Sequence, residues 1–328
     1  MTDEQAETAE DRGPLRKGWT TGACATAAAK AAFQALITGE FPDPVEITLP
    51  RGERPAFPLA ERRLESAYAL AGIVKDAGDD PDVTHGALIR AEVRKGEAGS
   101  GIRYRAGAGV GTVTRPGLPL EVGEPAINPA PRRMIADNLR ALAAPLGAPM
   151  DLKVTVSVEN GEKLAEKTWN GRLGILGGLS ILGTTGIVVP YSCSAWIASI
   201  RQAVDVARAA GWDHIAAATG STSEAAIARE YGFGPERIVD MGDFAGGLLK
   251  YLATHPVARL TFVGGFAKTC KLAAGHLDLH SKRSQVDPAF LAELAREAGG
   301  APDLTARIGA AGSAAEILAM AEESGLPL

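Results

Sequence analysis

The sequence predicts an α/β protein in two parts: an N-terminal mixed α+β domain over residues 14–188 and a C-terminal Rossmann-like domain with a parallel sheet over residues 189–328. Three observations predict it. The chain has 328 residues, about twice the length of an ordinary domain. Before Pro190, strand-like segments with alternating or continuous apolar residues stand between two helical stretches, the pattern of a mixed α+β layer. After Pro190, strand and helix alternate with short connections, which implies parallel strands covered by helices.

The elements follow in order. The first twelve residues hold five carboxylates against Arg12, so residues 1–13 read as a disordered acidic tail and the remaining body is close to neutral, at −1 of the total −5. Residues 20–37 are alanine-rich, with Phe33, Leu36 and Ile37 on one side and threonines in front that can cap, so they read as a helix. Segments 45–49 (VEITL), 66–74 (SAYALAGIV), 87–93 (ALIRAEV) and 152–158 (LKVTVSV) read as strands bounded by Gly, Pro and Asp. Residues 132–142 read as a second helix behind the proline-bearing stretch EPAINPAPRR. In the second half, helices are expected at 194–210, 224–231 and 244–254, with strands at 214–218, 237–240 and 259–263. Further helices are expected near 268–274, 289–298 and 314–323.

Composition narrows the function. Hydrophobic residues at 46% and charged residues at 22% suit a packed soluble protein and exclude disorder over most of the chain. Aromatics at 5%, with no basic excess, argue against a nucleic-acid partner. No apolar run approaches the roughly 20 residues of a membrane span, so no membrane partner is expected. The three cysteines, Cys24, Cys193 and Cys270, are far apart and odd in number, which fits small buried thiols in a reducing cytoplasm better than a disulfide framework or a cysteine metal cage.

Several residues can carry chemistry. Each strand of the second half runs into a small or acidic loop: Thr219-Gly220, Gly242-Asp243 and Gly264-Gly265. Side by side at one sheet edge they would suit a nucleotide-like ligand, since glycines admit close backbone approach, helix-start amides bind anionic groups and a carboxylate accepts from ribose or an amine. The glycine-rich runs at 107–111 and 172–186 lack the spacing or the strand–turn–helix setting of a dinucleotide fingerprint and are read equally as packing or ligand contact. Between positions 101 and 140 stand Arg103, Arg105, Arg115, Arg132, Arg133 and Arg140 against three carboxylates, a local excess of guanidinium groups suited to a polycarboxylate. His276, Asp278 and His280 alternate as metal ligands can, but a polar loop after a helix end at Gly275 is the preferred reading, so no metal site is expected.

Four long phrases carry a resemblance. GWTTGACATAAAKAA (18–32), GVGTVTRPGLPLEVGEPAINPAPRRMI (109–135), GRLGILGGLSILGTTGIV (171–188) and KLAAGHLDLHS (271–281) resemble those of the CbiD family, in that order, over most of the chain. The resemblance implies a cobalt-precorrin-5B C1-methyltransferase that uses S-adenosylmethionine as methyl donor and gives cobalt-precorrin-6A in anaerobic cobalamin biosynthesis, with cobalt present only as part of the substrate. Carried over by position, it points to substrate contacts at Thr20, Thr21, Asn128, Lys271 and Ser281, joined by the arginines Arg115, Arg132 and Arg133, and to cofactor contacts at Thr184 and Thr185 besides Thr219, Gly220, Asp243, Gly264 and Gly265. Glu224, Asp243 and His280 are the candidates for orienting the donor or taking a proton from the macrocycle. The arginine-rich part would bind the anionic tetrapyrrole and the Rossmann-like part the adenosyl group, with self-association left open. The alternatives weighed are a nicotinamide-dependent tetrapyrrole reductase, disfavoured by the missing phosphate-binding glycine turn, and a non-catalytic tetrapyrrole carrier. The stretch Ser221–Glu224 departs from the family pattern, which carries an asparagine there, and His276 stands where no fixed histidine is expected.

Overall fold

The computed structural model describes residues 14–327, so the expected acidic tail lies outside the described residues. The chain divides into two compact units, Met1–Ser192 and Cys193–Leu328.

The first unit is built around the alanine-rich helix Thr21–Thr38. Thr20 caps it, its side chain accepting from the Ala23 N–H at 3.1 Å, and Gly39 closes it in the left-handed conformation at φ 85°. Thirteen of its eighteen residues are buried, because strands Tyr68–Val74 and Leu88–Lys95 lie against one side and the helix Pro129–Ala143 against another. Alanine is what such a position demands: a methyl group lets both layers approach without a gap. The helix Pro129–Ala143 starts three residues earlier than the pattern suggests, its prolines occupying the first turn where no N–H is needed. It buries Met134, Ile135 and Leu139 and also Asn138, whose amide accepts from Thr48 N at 2.8 Å and donates to Thr48 O at 2.9 Å. That side chain takes the place of a ladder partner. The expected strand 45–49 is paired as a strand over Val45–Glu46, against Ala56–Phe57, and backbone bonds from Ile47 N to Pro55 O and from Leu49 N to Glu53 O carry it into the turn.

Five strands form one mixed sheet in the order Glu61–Leu64, Tyr68–Val74, Leu88–Lys95, Leu152–Val158, Ile102–Ala106. All neighbours are antiparallel except the last pair. Alternation along Leu152–Val158 sends Leu152, Val154, Val156 and Val158 to the helices and Lys153, Thr155 and Ser157 to the other face. The two edge strands, ERRL and IRYRA, lack the apolar content of their neighbours, which is why the sequence pattern passes over them.

Beside this sheet Lys75 is 1% exposed, its ammonium donating to Thr84 Oγ1 at 2.7 Å and pairing with Asp82. Burial is the largest influence on the Asp82 carboxyl and pushes its pKa up. The charge of Lys75 and the hydrogen bonds from Lys75 and Thr84 together outweigh it, so the net direction is down.

The second unit holds a three-stranded parallel sheet ordered Ile238–Asp240, His214–Ala218, Arg259–Val263. Helices Cys193–Ala209 and Ala245–Leu252 pack on the face of Ile215 and Ala217, and helix Ser221–Tyr231 on the face of Ala216 and Ala218. Helices Phe266–Ala273, Pro288–Glu297, Pro302–Gly309 and Ala314–Ser324 gather a further apolar cluster around Leu291 and Ile308. The Pro302–Gly309 helix was not anticipated. What the second unit shows is this small parallel sheet covered by helices, within a mixed α/β protein. Cys24 and Cys270 are buried as expected, Cys193 is exposed, and no helix among the described residues is long and apolar enough to cross a membrane.

Two outcomes are expected. Ala28→Leu, at a fully buried helix position, should lower stability by about 1–3 kcal/mol through overpacking, read by urea denaturation. Asp82→Ala should cost about 3–5 kcal/mol by leaving the Lys75 ammonium buried without its partner. Because the folded carboxyl is depressed, the stability Asp82 contributes is fully present above its unfolded value of about 3.9. It is lost as pH falls through the lower folded value, so the parent should melt progressively earlier on acidification and the variant should lack that component.

Candidate functional site

In the second unit the carboxyl ends of the three parallel strands bring Thr219-Gly220, Gly242-Asp243 and Gly264-Gly265 to one edge. The strand order adds what periodicity cannot. The chain runs from the central strand to one neighbour and then crosses to the other, with the intervening helices on opposite faces, so the Thr219 and Gly264 loops flank the switch of direction, the place where open α/β sheets take ligands. Those loops touch: a Cβ on Gly264 would come within 3.0 Å of the Thr219 methyl, and Thr219 N donates to Val263 O at 3.3 Å.

Both loops lead directly into helices. Gly220 and Gly265 are the N-caps of Ser221–Tyr231 and Phe266–Ala273, and neither helix start is capped by a side chain. A Cβ at either glycine would meet nothing within 4 Å. The first-turn amides of two helices thus open onto one space, a setting for an anionic group. The two glycines differ in backbone: Gly220 has φ 153°, a region closed to other residues, whereas Gly265 at φ −61° is ordinary. A side chain at Gly220 would therefore disturb the loop itself.

Lys268, absent from the sequence reading, ties the loops together. Its ammonium lies 3.4 Å from Thr219 O and 2.9 Å from Asp243 Oδ1. The Asp243 oxygen is buried and has no aligned hydrogen-bond donor, Lys268 included. A loop-to-loop ion pair has no signature in local sequence, since Lys268 and Asp243 are 25 positions apart.

The segment after helix Phe266–Ala273 is bound to the same edge. Leu279 N donates to Asp243 O at 2.9 Å and Gly246 N to Leu277 O at 2.7 Å. Lys271 is 6% exposed and donates to Leu279 O at 3.1 Å, so its ammonium holds this segment from within. His280 and Ser281 are exposed. His280 Nδ1 accepts from Lys282 N at 3.2 Å, which places the proton of the neutral ring on Nε2. Asp278 accepts from the His280 N–H at 3.2 Å, an Asx turn. Glu224 lies half-buried in the first turn after Gly220.

The remaining residues singled out belong to the first unit. Thr20 is the helix cap, and Thr21 Oγ1 donates to Leu182 O at 3.2 Å and accepts from Leu182 N at 3.1 Å. Both are buried and bind the helix start to the glycine-rich segment. Thr184 is exposed, and Thr185 Oγ1 accepts from Ile187 N at 3.2 Å. Asn128 N donates to Ile181 O at 2.9 Å. Arg115 lies along Gly174, whose φ of 76° and lack of a side chain make room for the arginine stem. Arg132 donates from Nε to Ile127 O at 2.7 Å and from Nη2 to Pro125 O at 3.1 Å, and it pairs with Glu124 at 2.7 Å. Its guanidinium is thus committed to its own loop. The neighbouring Arg133 is exposed and lines, with Glu121 and Pro129, a cavity of about 410 Å³.

Fold and site define the class: an α/β protein whose second unit brings three loops together at the carboxyl ends of parallel strands, beside two helix starts without side-chain caps. The chain belongs to the CbiD family, with residues 8–190 matching CbiD and residues 278–328 matching the CbiD C-terminal domain. It is 60% identical over 328 residues to the cobalt-precorrin-5B C(1)-methyltransferase of Paramagnetospirillum magneticum, covering 100% of this chain and 89% of that protein. It is 58% identical over 330 residues to the protein of the same name from Brucella anthropi, covering 100% of this chain and 90% of that one. Among solved structures it is similar to the cobalamin biosynthesis protein CbiD of Archaeoglobus fulgidus, at 29% identity and a TM-score of 0.45 over 83% of this chain and 84% of that chain.

The contacts of Arg132 separate it from Arg133. Arg132→Ala should destabilise the fold by about 1–3 kcal/mol, since two loop carbonyls lose their donor, while Arg133→Ala should stay within about 0.5 kcal/mol of the parent. Chemical denaturation of the two variants side by side checks this.

Proposed function

We infer that the chain is a cobalt-precorrin-5B C(1)-methyltransferase of cobalamin biosynthesis, transferring a methyl group from S-adenosylmethionine to carbon 1 of the macrocycle. The observation that carries the activity is the identity of 60% to a relative of that name over the whole of this chain. Methyl transfer from a sulfonium to carbon asks for no acid at the departing thioether. The protein must hold the methyl group in line with the accepting carbon and keep water away.

The carboxyl edge of the parallel sheet supports a place for the donor. The second unit serves as a Rossmann-like cofactor domain, in which Gly220 and Gly265 leave room for the donor beside two sets of helix-start amides suited to its carboxylate. Asp243, with its buried and poorly satisfied oxygen, accepts from the donor's ammonium or ribose. Thr219 and Gly264 shape the wall between the loops, and Lys268 holds the Asp243 side chain in place. Glu224 and His280 flank this edge as the groups that orient the donor or take up the proton the methylated carbon releases. In the first unit Arg115 and Arg133 reach the acidic arms of the tetrapyrrole. Thr20, Thr21, Asn128 and Arg132 set the loops from which those groups project, and Lys271 supports Ser281 by fixing the Leu279 segment.

Titration with S-adenosylmethionine tests the donor site. Asp243→Asn should weaken binding by about 1.5–3 kcal/mol, or one to two decades. Gly265→Val should weaken it as well while keeping a cooperative melt, because Gly265 has unstrained backbone and open space. If both variants fold and bind the donor as tightly as the parent, the donor sits elsewhere, and the glycine-rich segment 171–186 is the next place to look.

A further inference from the structure

The face of the five-stranded sheet turned away from the helices carries a charge pattern that packing does not explain. Register sets Arg94 on one side of Lys153 and Arg103 on the other, so three cations occupy one row across three adjacent strands. Neighbouring strands lie about 4.8 Å apart, and like charges directly opposite one another oppose pairing. The next row places Arg105 beside Thr155 and Glu92, and the next Arg90 beside Ser157.

Part of this charge is answered within the protein. Arg94 donates to Glu92 at 2.6 Å and lies 4.5 Å over the Tyr68 ring, and Arg90 donates to Glu61 at 2.5 Å and to Glu159 at 3.3 Å. The rest is not. The guanidinium groups of Arg103 and Arg105 are exposed and make no hydrogen bond or ion pair with any described residue. Among the described residues the Lys153 ammonium reaches only Glu97, 4.0 Å away and 89% exposed. These three cations line one cavity of about 550 Å³, together with the hydroxyl-bearing Ser100 and Thr112. Such a cavity recognises several anionic oxygens held on one framework: guanidinium forks take carboxylates side on, the ammonium takes a second oxygen, and the hydroxyls donate at the rim.

We propose that the cavity over Arg103, Arg105 and Lys153 is an anchoring subsite for carboxylate arms of the tetrapyrrole, distinct from the Arg115 and Arg133 contacts. It rests on the methyltransferase reading for the identity of its ligand, and on the charge register for its existence. The subsite holds the periphery of the macrocycle and touches no reacting atom, so its residues govern substrate affinity and leave donor affinity alone.

The test uses the full chain and a porphyrin octa-acid as probe, followed by fluorescence, with the octamethyl ester of the same porphyrin as the uncharged control. The parent should bind the acid with an affinity that falls as salt is raised, and bind the ester at least tenfold more weakly. The triple variant Arg103→Gln, Arg105→Gln, Lys153→Gln should lose at least tenfold in affinity for the acid. Its melting temperature should be unchanged or higher, because a repelling row has been removed, and its S-adenosylmethionine affinity should be unchanged. Equal acid binding by parent and triple variant, no acid binding by the parent, or equal binding of acid and ester would each overturn the subsite. Methyl transfer by the parent is assayed separately. Its absence would sink the activity while leaving the acid titration to decide on the subsite, and its presence beside equal acid binding would sink the subsite alone.

Discussion

The first unit depends on a helix with almost no solvent face. Because Thr21–Thr38 lies between a sheet and a second helix, nearly every position must be small, and its length, its caps and the layers it separates all answer to that requirement. A larger side chain would push the sheet from the Pro129–Ala143 helix, and with it the loop whose carbonyls Arg132 holds and the segment that Asn138 pins through Thr48. The polar loops of this unit are therefore positioned by a stack of methyl groups. Close packing passes displacement along because there is no slack to absorb it.

In the second unit the corresponding constraint is the alanine run of the central strand. Ala216 and Ala218 meet one helix layer while Ile215 and Ala217 meet the other, so helices sit close on both faces and their starts converge at the carboxyl edge. The candidate site results from strand order rather than from a dedicated motif. Two ordinary βα turns with glycine caps become a site once the chain changes direction between them. Lys268 then converts two independent loops into one surface.

What could be read in advance follows the reach of each signal. Long apolar periodicities, such as LKVTVSV and the alanine-rich stretch after Thr20, are local, and they mark their elements within a few residues. The edge strands ERRL and IRYRA escape because one of their faces is solvated and their charge imitates a loop. Shared phrases mark the family but not the task of each residue within them: Thr20 and Thr21 are spent on the helix start, Lys271 on a carbonyl of its own segment. The glycine loops and their alignment at one sheet edge follow from the alternation of strand and helix. Lys268 and the cation row across Arg94, Lys153 and Arg103 exist only in three dimensions.

The charged edges of the five-stranded sheet also bear on how copies of this protein meet. Each edge leaves a row of backbone donors and acceptors that another strand could extend, the usual route to uncontrolled association. One edge is guarded by Arg62 and Arg63, the other by Arg103 and Arg105. Two copies brought together along matching edges would set guanidinium against guanidinium, with the repulsion strongest at low ionic strength. The arginines thus discourage a continuous intermolecular sheet along these edges.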